Sequence, residues 1–175
     1  MRHFRTVSLV TVILATLLWP GVTAEAQSNG ITVGIFGGVG GSPDSDGYDG
    51  SGFQLLAAMD LSRNTLTGLR IGELTTEFEL DNGVIEENDL SYLTLGTEYR
   101  RDADYYTSGL LIGIGYYRLE GPFSDEDSLG LTLGVTGDFA INPSFSVVVE
   151  LSGHYADFDR AQIFLLAHAG LAFKF

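Results

Sequence analysis

The last fifteen residues, Ala161 to Phe175, restrict the fold more than any other stretch of the chain. Ile163, Leu165, Ala167, Ala169, Leu171, Phe173 and Phe175 alternate with Gln162, His168, Gly170, Ala172 and Lys174, and the sequence stops on an aromatic. A period of two marks a β-strand with two chemically distinct faces. One greasy face and one small or polar face suit a wall with lipid on one side. Inside a bilayer every backbone polar group must find its partner within the protein, and a sheet achieves that only by closing on itself. The terminal strand therefore predicts a closed membrane barrel.

The other end of the chain agrees with export. Arg2 and Arg5 precede an apolar run from Val7 to Trp19, followed by Pro20-Gly21 and the small-residue site Ala24-Glu25-Ala26. Those are the three regions of a secretory signal. Residues 1–26 are read as a cleaved signal peptide and residues 27–175 as one outer-membrane barrel domain. No later stretch approaches the roughly 20 apolar residues of a membrane helix. There is no cysteine, which removes disulfides and thiolate metal sites. Without the signal, 7 basic and 22 acidic residues remain, a balance that argues against nucleic acid as a partner. Lys174 is the single lysine. A soluble β-protein would scatter lysine over its outer faces and guard its edges with it.

Eight segments have the length of a tilted membrane strand: 30–40, 52–61, 65–76, 90–101, 107–119, 128–141, 144–156 and 161–175. Their connections alternate in length. Ser62-Arg63-Asn64, Asp102 to Tyr106 and Asn142-Pro143 are tight, whereas 41–51, 77–89 and 121–127 are longer, with 157–160 a short exception. Short turns at one rim and long loops at the other match the periplasmic and extracellular ends of an outer-membrane barrel. The facing is cleanest in segments six and seven. Leu129, Leu131, Leu133, Val135, Phe139 and Ile141 alternate with Ser128, Gly130, Thr132, Gly134, Thr136 and Asp138, and Phe145, Val147, Val149, Leu151 and Tyr155 continue the apolar face. A secreted, lipocalin-like soluble barrel would put that apolar face inside and would need bulky charges outside. Gly, Ser and Thr fit a narrow interior better than a solvated coat. Aromatics gather at both strand ends: Tyr99, Tyr105, Tyr106, Phe139, Phe145, Phe173 and Phe175 at the short-turn end, and Phe53, Tyr116, Phe123, Tyr155 and Phe158 at the other. They read as two interfacial girdles.

The signal, the loop alternation and the terminal Leu171-x-Phe173-x-Phe175 together resemble the small eight-stranded OmpA-like and OmpX-like outer-membrane proteins of Gram-negative envelopes. The resemblance implies an all-β, eight-stranded antiparallel up-and-down transmembrane barrel. It also implies that Leu171, Phe173 and Phe175 form the signal read by the barrel-assembly machinery. Activity does not follow, because such folds host many functions.

On this facing the lumen receives Asp60, Arg70, Glu98, Arg100, Asp138, Glu150, His154 and His168. Arg70, Glu98, Asp138, Glu150 and His168 form the candidate charge cluster. It reads as a plug or gate in a narrow pore, or more plainly as a polar core whose charges persist by pairing. Phe36, Leu56, Leu111, Tyr117, Phe164 and Leu166 also point inward, which admits a lipid-binding or lipid-modifying alternative. Catalysis finds little support. The lipid A deacylases place Ser two residues after their His, but this chain reads His154-Tyr155-Ala156, and the outer-membrane proteases' Asp-x-His is absent. Asp157 and Asp159 are the remaining carboxylates near His154. No enzyme activity and no cofactor are expected.

A metal site would need oxygen ligands. Asp44, Asp46 and Asp49 have a spacing that could converge on calcium, without the full loop pattern of an EF-hand. The proposed outer loops carry 14 acids against Arg160 alone. Such a face repels anions and attracts divalent cations or a basic partner. Arg118, facing outward at the outer rim, is the candidate contact for a lipopolysaccharide phosphate. The expected partners are thus membrane lipid, lipopolysaccharide, the assembly machinery and divalent cations, with the barrel acting as a monomer that is at most a narrow pore.

Overall fold

A computed structural model describes residues 30–43, 50–79, 85–122, 125–159 and 161–175. Residues 1–26, read above as a signal peptide, lie outside the described residues. Eight strands follow in order: β1 Ile31–Gly41, β2 Gly50–Ser62, β3 Thr65–Glu79, β4 Ile85–Asp102, β5 Thr107–Glu120, β6 Asp125–Asn142, β7 Phe145–Ala156 and β8 Ile163–Lys174. Each pairs antiparallel with its chain neighbour, and β1 pairs with β8 to close the barrel. The seam is extended by reciprocal bonds between the backbones of Ile31 and Phe175, N–H to O at 3.3 and 2.9 Å.

The strand register sets the barrel's width. From Gly137 on β6, the paired residues run through Val149, Ala169, Gly37, Phe53, Glu73, Ser91 and Arg118 to Asp127. Asp127 lies on β6 again, ten residues before the starting point (137 − 127). With ordinary strand spacing and rise, that stagger tilts the strands by about 40° and gives a backbone radius of about 8 Å. Side chains fill such an interior.

The facing follows the sequence period. Leu131 and Leu133 are 58% and 59% exposed, while Thr132 between them is 2% exposed. Val149, Leu151, Ile163, Leu165, Leu171 and Phe173 likewise face outward. A water-soluble protein would not leave an unbroken aliphatic belt of this extent uncovered. The soluble, lipocalin-like alternative requires the opposite orientation and is excluded. Phe36, Leu56, Leu111, Tyr117, Phe164 and Leu166 are buried inside, as the alternation predicts. Inward glycines make room for large partners. A methyl group at Gly72 would overlap the Tyr92 ring, one at Gly130 would meet Tyr117, and one at Gly38 would meet His168.

Two expectations need correction. β3 runs to Glu79 rather than 76, β4 begins at Ile85 rather than 90 and β6 at Asp125 rather than 128, so Glu77, Glu79, Glu86, Glu87, Asp89, Asp125, Glu126 and Asp127 belong to strands and not to loops. Antiparallel pairing continues above the apolar belt, where water faces the strands and tolerates charge. Phe158 does not join the outer girdle. Its amide donates to the Ala156 carbonyl at 3.0 Å, a tight turn that breaks the alternation and buries the ring at 2% exposure against Phe164. Phe123 lies outside the described residues. Phe53, Tyr116 and Tyr155 at the outer end, and Tyr99, Tyr105, Tyr106, Phe139, Phe173 and Phe175 at the short-turn end, are exposed.

Candidate functional site: the lumen of the barrel

Alternate positions of β2 to β8 bring the lumen's polar groups together. Arg70 on β3 sits at the centre. Its Nε donates to Glu150 Oε2 at 2.9 Å and its Nη2 to Glu98 Oε2 at 3.2 Å. Glu98 Oε1 also accepts from Arg100 Nε at 2.8 Å and from the Thr136 hydroxyl at 2.9 Å. Lys174 Nζ donates to Asp138 Oδ2 at 2.7 Å, and Arg100 Nη2 stands 3.9 Å from the same oxygen. In the other direction Gln54 Nε2 donates to Glu150 Oε1 at 3.3 Å, and the Tyr92 hydroxyl donates to Gln54 Oε1 at 2.9 Å. The chain of contacts links the periplasmic rim to mid-barrel. Three cations, Arg70, Arg100 and Lys174, meet three anions, Glu98, Asp138 and Glu150. Removing any one would leave a charge uncompensated in a low dielectric.

Four of the five predicted cluster members are therefore joined by ion pairs. The fifth, His168, lies opposite Glu150 in the strand register and is buried, but among the described residues its Nδ1 has no hydrogen-bond partner. Asp60 is half-buried at the periplasmic end, its amide bonded to the Gly30 carbonyl. Gln54 and Tyr92, the bond from Thr136 to Glu98, and the use of Lys174 as a partner for Asp138 escaped the sequence reading. The available signal was parity. Gln54 precedes the inward Leu56 by two residues, and Tyr92 shares the inward stripe of Glu98.

The outer half of the lumen is different in kind. His154 Nδ1 is 2.7 Å from the Thr132 hydroxyl and 3.0 Å from the Tyr117 hydroxyl, and its Nε2 is 3.0 Å from Ser152 Oγ. Among the described residues no carboxylate bonds to this imidazole. Asp157 and Asp159 remain exposed at the rim, where Asp157 accepts from Gln162 and the Asp159 amide donates to Glu126. A Ser152–His154 contact sealed under aromatic rings lacks both the orienting acid and an approach for a substrate. Above it Leu74, Leu90, Tyr117, Leu119, Phe158 and Phe164 form one buried apolar cluster.

The other sequence candidates are dispersed. Arg118 faces outward on β5, and its guanidinium is engaged by Glu120 at 2.6 Å and lies within 3.9 Å of Asp125 and 3.8 Å of Asp127. Asp44, Asp46 and Asp49 lie outside the described residues. Among the described residues no group of three or more His, Asp or Glu converges on a metal position. Leu171, Phe173 and Phe175 lie outward at the periplasmic end, the two rings 4.8 Å apart.

Solved structures share this architecture. The outer membrane protein OprG from Pseudomonas aeruginosa superposes with a TM-score of 0.65 at 11% identity, covering 84% of this chain and 96% of that one. A major outer membrane protein from Thermus thermophilus gives 0.60 at 17% identity over 85% and 100%. This chain has the fold of the small eight-stranded outer-membrane β-barrels. Neisserial surface protein A is a further β-barrel of this fold, at a TM-score of 0.58 and 13% identity over 84% and 97%. No family model and no curated protein matches the sequence. In an outer-membrane β-barrel the lumen is ordinarily polar throughout. Here the ion-paired network shares the periplasmic half with an apolar cluster of Phe36, Leu56, Ala58, Leu66, Val148 and Ala172, and the outer half combines a second apolar cluster with buried Thr76, Glu86 and Asn88.

Proposed function

We propose that the protein is a sealed, non-enzymatic barrel of the Gram-negative outer membrane that anchors itself in the bilayer and presents an acidic surface to the outside. The observation that carries this reading is the filled lumen. Three cations cancel three anions in its periplasmic half, and apolar side chains close its outer half. A self-neutralised network holds no spare charge to draw an ion through. An apolar segment above it offers no path for a hydrated one. Lipid binding inside the lumen is less well supported, because Phe158, Phe164 and their neighbours already fill the apolar volume.

What remains for interaction is the outer rim. Glu73, Glu77, Glu87, Asp89, Glu120, Asp125 and Asp127 share the outward parity of β3 to β6, and Glu77 lies directly opposite Glu87. Like charges paired across strands destabilise unless something compensates them. A basic partner, or divalent cations shared with lipopolysaccharide phosphates, would do so. Export by the signal, assembly through Leu171, Phe173 and Phe175, and a monomeric barrel complete the reading.

The test joins fractionation to electrophysiology. The protein should sediment with carbonate-resistant outer membranes, run faster on gels before heating than after, and give no conductance steps in planar bilayers. Recovery in the soluble periplasm would end the membrane reading. Stable, wild-type conductance steps would end the sealed one.

A further inference from the structure

The six basic residues among the described ones divide sharply. Arg70, Arg100, Arg118 and Lys174 are held in ion pairs, while Arg63 and Arg101 are in none among the described residues. Both unpaired arginines are exposed, and both lie at the periplasmic rim. Arg63 occupies the β2–β3 turn and Arg101 the end of β4. The two segments are joined where the Arg100 amide donates to the Asn64 carbonyl at 2.8 Å. Arg101 has the outward parity of Tyr99, which is 63% exposed beside it. Tyr105 and Tyr106 continue the aromatic girdle in the next turn. The acids nearby are Asp60, half-buried beneath the rim, and Asp102 and Asp104, both exposed; Asp102 accepts from the Thr107 hydroxyl at 2.9 Å.

Two uncommitted guanidiniums at the level where tyrosines meet headgroups are placed for phosphate, which arginine binds with two parallel N–H donors. We propose that Arg63 and Arg101 dock the phosphate of an anionic phospholipid in the periplasmic leaflet. This rests on the outer-membrane reading above. It also relocates the phosphate contact. At the outer rim Arg118 is surrounded by Glu120, Asp125 and Asp127, so an incoming phosphate would have to displace carboxylates and approach an acidic band. At the periplasmic rim Asp102 and Asp104 stand exposed nearby, but among the described residues neither forms an ion pair with Arg63 or Arg101, which leaves both guanidiniums open to a phosphate.

The experiment uses the full mature protein in nanodiscs of mixed phosphatidylglycerol and phosphatidylcholine. Lipids retained on release are counted by native mass spectrometry. Wild type should retain phosphatidylglycerol over phosphatidylcholine by about five-fold for each guanidinium engaged. Arg63→Gln with Arg101→Gln should abolish the preference, and Arg118→Gln should leave it intact. A wild-type preference in the double variant, or its loss in Arg118→Gln, would overturn the proposal. Excess inorganic phosphate should not displace the retained lipid; displacement would overturn the assignment to a membrane headgroup. The heat-dependent gel shift is read on the same samples. Its absence would count against the membrane-barrel reading itself, whereas a normal shift with unchanged lipid counts would count against the arginine pair alone.

Discussion

The two halves of the lumen are filled in different proportions: both hold a buried apolar cluster, and the ion-paired network lies in the periplasmic one. Toward the periplasm, β3, β4, β6, β7 and β8 contribute Arg70, Glu98, Arg100, Asp138, Glu150 and Lys174, which cancel in pairs. Toward the outside, Leu74, Leu90, Tyr117, Leu119, Phe158 and Phe164 form an apolar cluster, with Glu86 the buried carboxylate beyond it among the described residues. Thr132, Ser152 and His154 sit at the join, with hydroxyls on both imidazole nitrogens. A narrow barrel needs its interior filled and its polar groups satisfied, and ionic and apolar filling both meet that need. They differ in how they fail. An ion network loses most when one member is removed, and an apolar cluster loses in proportion to the volume deleted.

The largest expected effect is therefore in the ionic half. Arg70→Ala leaves Glu98 and Glu150 buried without their shared cation, at a cost of about 3–5 kcal/mol. Urea titration of vesicle-inserted protein, followed by loss of the heat-resistant gel band, measures it. In the apolar half Leu90→Ala should cost about 3 kcal/mol by transfer and cavity terms. A smaller loss than that at Arg70 by the same titration supports the contrast, and equal losses erase it. Replacing Arg70 and Glu150 together by Met and Leu removes one charge of each sign and leaves Arg100 and Lys174 to balance Glu98 and Asp138. That double variant should lie within about 1 kcal/mol of wild type or above it. A loss as large as that of Arg70→Ala would show that the ionic half is irreplaceable rather than merely neutral.

Much of the facing was legible in the sequence, and the missing parts have physical causes. Strict alternation in β6, β7 and β8 settled the facing because a period of two admits only two orientations. Arg70 beside Glu98, and Glu150 opposite His168, follow from neighbouring strands. The Arg70–Glu150 pair does not, since β3 and β7 are not hydrogen-bonded neighbours and meet only across the lumen. Acidic composition around Glu86 and Asp125 reads as loop, yet the pairing extends into water and keeps those residues in strands. Phe158 turns inward through one local hydrogen bond that no periodicity encodes.

Smaller effects are expected at the join and at the outer rim. Tyr117→Phe removes one hydroxyl from His154 while Thr132 keeps its own contact, so the cost should be about 1 kcal/mol in the same titration. Glu120→Gln at the outer rim breaks an exposed pair with Arg118 and should cost under about 0.5 kcal/mol, falling toward nothing as salt rises. A loss that persists at high salt would place Arg118 in a more enclosed setting than its 41% exposed side chain indicates.

The absence of native cysteine makes the facing directly measurable. Single cysteines at Leu133 and at Thr132, spin-labelled in lipid vesicles, can be compared for collision with dissolved oxygen, which concentrates in the bilayer. The Leu133→Cys label should be strongly relaxed by oxygen, and the Thr132→Cys site should be unreactive or shielded. Reversal of those two results would place the aliphatic rows inside and overturn the membrane orientation of the barrel.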